Sequence, residues 1–93
     1  MKKYEVMYII RPEVEETERN NLIEEVNQVF TKNESTVAKV SEWGLRELAY
    51  EIDNCTKGYY VLLNVEATPK AVAEFNHIAN IKEAIIRHIV VAH

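Results

Sequence analysis

The sequence contains a single cysteine, Cys55, and no long apolar run. One thiol cannot form an internal disulfide, so we expect a reduced, intracellular protein. The amino-terminal residues 1–5 carry lysine, tyrosine and glutamate in place of the apolar stretch of a signal peptide or membrane span. Glycine and proline are also scarce, at two each among 93 residues, and 47% of the residues are hydrophobic. This composition predicts one globular domain spanning residues 1–93.

The chain also lacks the residue patterns on which most enzymes depend. No glycine-rich loop precedes a helix, so no nucleotide site is predicted. The three histidines, His77, His88 and His93, have no metal-ligand spacing. Adjacent Glu24 and Glu25 diverge on a helix and cannot act as an acid–base pair. We therefore expect neither an enzyme nor a cofactor or metal site, and we interpret His88 as a packed or hydrogen-bonded histidine within a strand.

Basic charge is limited, since the formal net charge is −4. This argues against a protein that coats nucleic acid through bulk charge. The acidic residues are concentrated, however: residues 13–25 hold six glutamates and one arginine, a local charge of −5, so the rest of the chain carries +1. We interpret the acidic segment as the solvated face of a helix, with an acidic binding site as the alternative. Another surface can then be neutral or basic.

Hydrophobic periodicity divides the chain into six elements. Alternating polar and apolar residues predict strands, and apolar residues at intervals of three and four predict helices. Thr17 is a candidate cap of the first helix, and Thr68 followed by Pro69 begins the second. The expected elements are a strand over residues 1–10, a helix over 15–32, strands over 36–52 and 59–67, a helix over 69–80 and a strand over 84–92.

This order of elements predicts the α+β class and a ferredoxin-like split βαβ fold. Four antiparallel strands would form the sheet, and both helices would cover the same face. Turn residues at 53–58 join the two middle strands into a hairpin. Gly44, inside the first of these strands, indicates a bulge or a close backbone approach. The mixed pattern at residues 48–50 suggests a strand leaving the sheet.

Two helices can cover only one face of the sheet, so the other face meets solvent or a partner. We assign the more apolar set of alternating residues in each strand to the core. The opposite set leaves a contiguous apolar patch on the open face, which is typical of an interaction site. The alternative is that strand twist or a bulge hides part of the patch. The patch comprises Met7, Ile9, Tyr60 and Leu62.

Four segments carry a resemblance to a known family. They read YEVMYIIRP at Tyr4–Pro12, EWGLRELAYEI at Glu42–Ile52, KGYYVLLNVE at Lys57–Glu66 and EAIIRHIVV at Glu83–Val91. The run Trp-Gly … Arg … Leu-Ala-Tyr, followed at a fixed distance by Gly-Tyr-Tyr, is the most specific part. Along its whole length the chain resembles the bacterial small-subunit ribosomal protein S-six family.

The resemblance implies a structural constituent of the small ribosomal subunit, located in its platform and hence cytoplasmic. It implies binding to the central domain of the small-subunit ribosomal RNA as a heterodimer with the neighbouring protein S-eighteen. That partner is basic and would supply much of the phosphate neutralisation, which accounts for the acidic net charge. The residues implied to face RNA are Lys2, Lys3, Arg46 and Arg87. The residues expected to face the protein partner are Met7, Ile9, Trp43, Tyr60 and Leu62.

Alternatives remain open for several of these residues. Arg46 can hold a phosphate with its planar fork, or it can pair with Glu47 or Glu51 nearby. Trp43 can contact a partner or RNA, or it can fill the core. Family members commonly carry basic residues or proline where this chain has Leu45, Glu47 and Glu51, which lowers the local positive charge. The competing function is a ligand-sensing or homo-oligomeric domain that dimerises through its open sheet, and a small enzyme of this fold is a third reading.

Overall fold

The computed structural model describes residues 2–52 and 54–92. Met1 in the predicted first strand, Asp53 in the predicted turn and His93 among the histidines lie outside the described residues. The predicted order of elements is confirmed, and most bounds agree within about two residues. The elements are β1 (Lys2–Ile10), α1 (Glu16–Lys32), β2 (Thr36–Ile52), β3 (Cys55–Ala67), α2 (Pro69–Ile81) and β4 (Ile85–Ala92).

The four strands form one sheet in the order β2-β3-β1-β4, and every neighbouring pair is antiparallel. The two central strands, β1 and β3, pair continuously from Lys2 with Ala67 to Ile10 with Tyr59. This is the ferredoxin-like arrangement that the sequence predicts. β3 begins at Cys55, four residues before the predicted start, so much of the predicted turn belongs to the strand.

The core lies between the two helices and one face of the sheet. Val6, Tyr8 and Ile10 of β1 are fully buried and pack with buried residues of both helices. Phe75 of α2 is central to this packing. Its ring lies 5.7 Å from that of Phe30, 6.2 Å from that of Tyr8 and 5.6 Å from that of His88, measured between centroids. His88 is thus a packed residue of the sheet, as its position in the strand predicts.

The helix starts show one correct and one wrong cap prediction. Thr68 Oγ1 accepts a hydrogen bond from the Ala71 N–H at 3.2 Å, and Pro69 occupies the first helical position. α1, in contrast, begins at Glu16, and its N-cap is Glu15, whose side chain makes no capping hydrogen bond. The extended Glu15 already accepts the first helical bond, from the Arg19 N–H at 2.8 Å. Thr17 therefore lies inside the helix and cannot cap it.

Candidate interaction face of the sheet

The face opposite the helices, here called the open face, is continuous across three strands. Met7 lies between Leu62 on β3 and Ile89 on β4, and Ile9 lies between Tyr60 and Arg87. Directly opposite residues of paired strands share a face. The core contains the alternate residues of β1 and β3, so the predicted assignment of faces is confirmed for both strands. The open face comprises Met7, Ile9, Tyr60, Leu62, Arg87, Ile89 and Val91 on these strands.

The most exposed apolar side chains of this part of the face lie on β4. Ile89 is 46% exposed and Val91 is 51% exposed, whereas Met7 and Leu62 are half-buried. Neither β4 residue was assigned to the patch from the sequence. Ile89 and Val91 follow Arg87 at intervals of two residues. Because alternate residues of a strand share a face, this spacing places them on the same face as Arg87. The exposed apolar patch of the open face therefore extends to the outer strand.

Residues 48–52, here called the hairpin arm, cross the open face. They leave the ladder with β3 between Glu47 and Ile52, as the mixed pattern predicts. Arg87 Nη1 donates a hydrogen bond to the Tyr50 hydroxyl, and the Arg87 guanidinium lies 5.9 Å from the Tyr50 ring centroid. β2 and β4 are the opposite edges of the sheet. This contact therefore requires the arm to pass over the central strands.

The hairpin arm corrects the predicted patch at Ile9, which is only 4% exposed. Ile9 lies on the open face and outside the main core cluster, so the helices do not bury it. Its Cγ2 lies directly against Gly58, and together with Leu48 and Tyr50 it lines an apolar groove of about 230 Å³ beneath the arm. Part of the patch is hidden by the chain itself, and Ile9 supports this face rather than presenting itself to a partner.

A bulge at Gly44 decides which side chains of β2 reach the open face. Glu42 lies opposite Val61 and Gly44 lies opposite Tyr60, so Trp43 is an extra residue without a partner on β3. Gly44 has φ +81°, a conformation that glycine adopts without steric cost. The extra residue changes the alternation. As a result, Trp43 and Arg46 lie on the same face although they are three residues apart.

Trp43, Tyr60 and Arg46 form a cluster at this bulge. The rings of Trp43 and Tyr60 are nearly parallel, at 9°, with centroids 6.3 Å apart. Arg46 Nε donates a hydrogen bond to the Trp43 carbonyl oxygen at 3.2 Å. Among the described residues, neither Glu47 nor Glu51 forms an ion pair with Arg46. The alternative in which a nearby glutamate neutralises Arg46 is therefore not observed, and Trp43 is 48% exposed rather than part of the core.

The four basic residues predicted to face RNA fall into two separate groups. Arg46 lies opposite Gly58, whereas Lys3 lies opposite Glu66, eight residues further along β3. At about 3.4 Å per residue these positions are roughly 27 Å apart. Lys2 and Lys3 also point to opposite faces, since successive residues of a strand alternate. The sheet thus brings Arg46 and Arg87 to the hairpin end and leaves the two lysines, both exposed, at the other end.

Electrostatic contacts beside the hairpin lie on the helix-covered face. The Tyr59 hydroxyl donates a hydrogen bond to Glu42 Oε1 at 2.8 Å, and the Arg19 guanidinium lies 4.1 Å from the centroid of the Tyr59 ring. Partial burial raises the pKa of Tyr59, and the hydrogen bond and negative charge of Glu42 raise it further, while Arg19 opposes the change. This contact connects the start of α1 to the hairpin.

The described residues contain no cluster of three or more side chains suited to hold a metal ion. No described helix has the length and apolar character needed to traverse a membrane. The chemistry that the site does offer is association: apolar side chains, an exposed aromatic pair and two guanidinium groups on one sheet face.

A helix-backed sheet whose free face carries apolar and basic groups defines a small α+β domain suited to binding other macromolecules. The family model described as Ribosomal protein S6 matches residues 3–92. The chain is also similar to the crystal structure of 30S ribosomal protein S6 from Thermotoga maritima, with 30% identity and a TM-score of 0.94 over 99% of this chain and 87% of that one. The chain belongs to the ribosomal protein S6 family. It is accordingly a structural protein of the small ribosomal subunit and not an enzyme.

Proposed function

We propose that this protein binds the central domain of small-subunit ribosomal RNA in the bacterial cytoplasm, as a heterodimer with the basic protein S-eighteen. The observation that carries the proposal is the open face itself. It presents exposed apolar side chains on β4 and two arginines at its hairpin end, and neither of the two described helices covers it. Membership of the S6 family supports the ribosomal setting.

The protein partner takes the apolar part of this face. Ile89 and Val91 are its most exposed members, and Met7 and Leu62 continue the surface inward. Removing apolar surface of this kind from water lowers the free energy of the complex and so favours association. Residues 13–25, at and before the start of α1, carry a local charge of −5, which gives this protein a long-range attraction for a basic partner.

RNA contact falls to the basic residues of the face. Arg46 and Arg87 lie at the hairpin end, and each would position a phosphate rather than read a base edge. Lys2 and Lys3 lie too far along the sheet to act on the same phosphate. They remain candidates for a separate backbone contact.

Sedimentation of a cell lysate on a sucrose gradient tests the ribosomal role. We expect the protein to sediment with small subunits, and a purified mixture of the protein, protein S-eighteen and a transcript of the RNA central domain to form one complex. Recovery only as a homodimer at the top of the gradient would instead favour self-association through the open face.

A matched pair of substitutions tests the assignment of the protein interface. Ile89→Asp places a carboxylate on the open face, whereas Ile81→Asp places the same group at the end of α2, where the side chain is 62% exposed. We expect Ile89→Asp to weaken the heterodimer at least ten-fold, because a buried unpaired carboxylate is costly. Ile81→Asp should bind as the wild type does. Equal binding by the two variants would remove β4 from the interface.

A further inference from the structure

The cluster at the Gly44 bulge has the construction of a small binding site. Among the described residues, Trp43, Tyr60 and Arg46 line a wide, open depression of about 440 Å³ on the sheet surface. The two rings are nearly parallel, and the Trp43 carbonyl fixes the guanidinium beside them through Arg46 Nε. Because that bond uses only Nε, the two terminal nitrogens of Arg46 point to no acceptor among the described residues.

Packing in the core does not explain this arrangement. Trp43 is the only tryptophan of the chain, yet it is 48% exposed and lies outside the core cluster. Gly44 would have open space for a side chain, since no atom lies within 4 Å of a Cβ built there. The bulge therefore does not relieve crowding. Its structural effect is to bring an aromatic side chain and an arginine onto one face.

We propose that Trp43, Tyr60 and Arg46 form a subsite for one unpaired nucleotide of RNA. The base stacks on the exposed aromatic surface, and the terminal nitrogens of Arg46 donate to the adjoining phosphate. Stacking on aromatic side chains and charge-assisted hydrogen bonds to phosphate are the two main contacts by which proteins hold single-stranded RNA. We expect the subsite to accept any base, because stacking on an aromatic face depends little on base identity, and to select for a base that is free of the duplex.

The charge distribution favours RNA over protein as the occupant. At the paired positions of the open face, the far end carries Glu5 and Glu66 together with Lys3 and Lys39, so its charges balance. The hairpin end carries Arg46 and Arg87, with no acidic residue at its paired positions. The exposed aliphatic surface that suits a protein partner lies on β4, the opposite edge of the sheet. This inference rests on the proposed RNA binding. It assigns to RNA the ring of Tyr60, which the sequence predicts to face the protein partner, and the ring of Trp43, for which the sequence leaves partner and RNA open.

The single tryptophan makes the subsite directly observable. The preformed heterodimer is titrated with a transcript of the central domain, and the emission of Trp43 is taken as the difference between the wild type and Trp43→Leu. We expect RNA to quench this emission, because a stacked base quenches indole fluorescence, and we expect protein S-eighteen alone to leave it unchanged. Quenching by the protein partner before RNA is added would assign the cluster to the protein interface and overturn the proposal.

Affinity for the same transcript gives an independent readout. Trp43→Leu should weaken RNA binding roughly ten-fold, whereas Trp43→Phe, which keeps a stacking ring, should retain most of the affinity. Leu45→Ser is the matched control, since Leu45 is an exposed neighbour on the other side of the strand. If the wild type binds RNA and Trp43→Leu binds equally well, the subsite is wrong and the proposed function stands. If the wild-type heterodimer binds no RNA, both fail.

Discussion

Gly58 on β3 lies directly against Ile9 on β1, so closely that a Cβ at residue 58 would overlap the Ile9 Cγ2. Glycine is required there for space, since its φ is not positive. We expect Gly58→Ala to lower the free energy of unfolding by about 2 kcal/mol, because Ile9 is held beneath the hairpin arm and can shift only at the expense of its packing. Urea unfolding measures the loss.

A double-mutant cycle tests whether the contact with Ile9 causes the loss of stability in Gly58→Ala. Ile9→Ala removes the overlapping methyl group, so Gly58→Ala should cost little in that background, and the two losses should not add. Gly44→Ala is the matched control. It faces open space and should cost about 1 kcal/mol from its positive φ alone, equally with or without Ile9. Additive losses for Gly58 and Ile9 would show that the contact does not limit substitution.

Local signals made the fold predictable. The alternation of β1, the Thr68-Pro69 helix start and the apolar stripe of α1 each depend on residues close together in the chain. They correctly predict the element order, the antiparallel sheet and the buried set on β1. The sequence does not predict that Glu15 is the N-cap of α1. Its side chain makes no capping hydrogen bond, so the helix start lacks the residue pattern that a threonine cap provides.

The open face was predictable only in part, because its details depend on long-range geometry. Gly44 indicates either a bulge or a close backbone approach, and the structure shows the bulge. The change in alternation, which brings Arg46 onto the same face as Trp43, depends on pairing with β3 and has no local sequence signal. The burial of Ile9 depends on the arm reaching across the sheet to Arg87. A period-two pattern assigns faces, but it does not show what a distant loop will cover.

The hydroxyl of Tyr8 offers a way to stabilise the protein. Tyr8 is fully buried, and its hydroxyl has no hydrogen-bond partner among the described residues. Tyr8→Phe keeps the ring contact with Phe75 and removes a polar group whose burial is uncompensated. We expect the free energy of unfolding to rise by about 1 kcal/mol. Tyr59→Phe is the control and should be neutral or destabilising, since its hydroxyl bonds Glu42. A lower stability for Tyr8→Phe would mean that the Tyr8 hydroxyl makes a stabilising hydrogen bond after all.

Alkaline pH should destabilise the protein through two tyrosines. Burial and the nearby charge of Glu42 raise the pKa of Tyr8, and partial burial and Glu42 raise the pKa of Tyr59, above the ordinary value of 10.0. Above that value the unfolded chain releases protons that the folded protein still holds, so stability falls as pH rises. Below it, neither group contributes a pH dependence. We expect the urea midpoint to decline from about pH 10 upward, and so to be lower at about pH 11 than at about pH 9.

Replacing Glu42 tests the origin of this alkaline loss. Glu42→Gln removes the negative charge that acts on both phenols, so the midpoint should fall less steeply with pH. Glu66→Gln removes an equivalent exposed carboxylate at the other end of the sheet and should keep the wild-type slope. An identical slope in all three proteins would mean that Glu42 does not control either tyrosine.

The salt dependence of RNA binding distinguishes the two groups of basic residues. Each phosphate contact releases condensed counterions, so the affinity falls as salt is added. Losing one contact makes the plot of log affinity against log salt shallower by about one unit. Within residues 2–52 and 54–92, the terminal nitrogens of Arg46 have no hydrogen-bond acceptor, and Arg46→Ala should therefore show this decrease in the heterodimer. Lys32→Ala, in the last turn of α1, is the control and should keep the wild-type slope. Lys3→Ala reports on the other end of the sheet. If its slope is also shallower by one unit, the RNA backbone spans the roughly 27 Å between the two groups. An unchanged slope for Arg46→Ala would mean that Arg46 does not contact a phosphate.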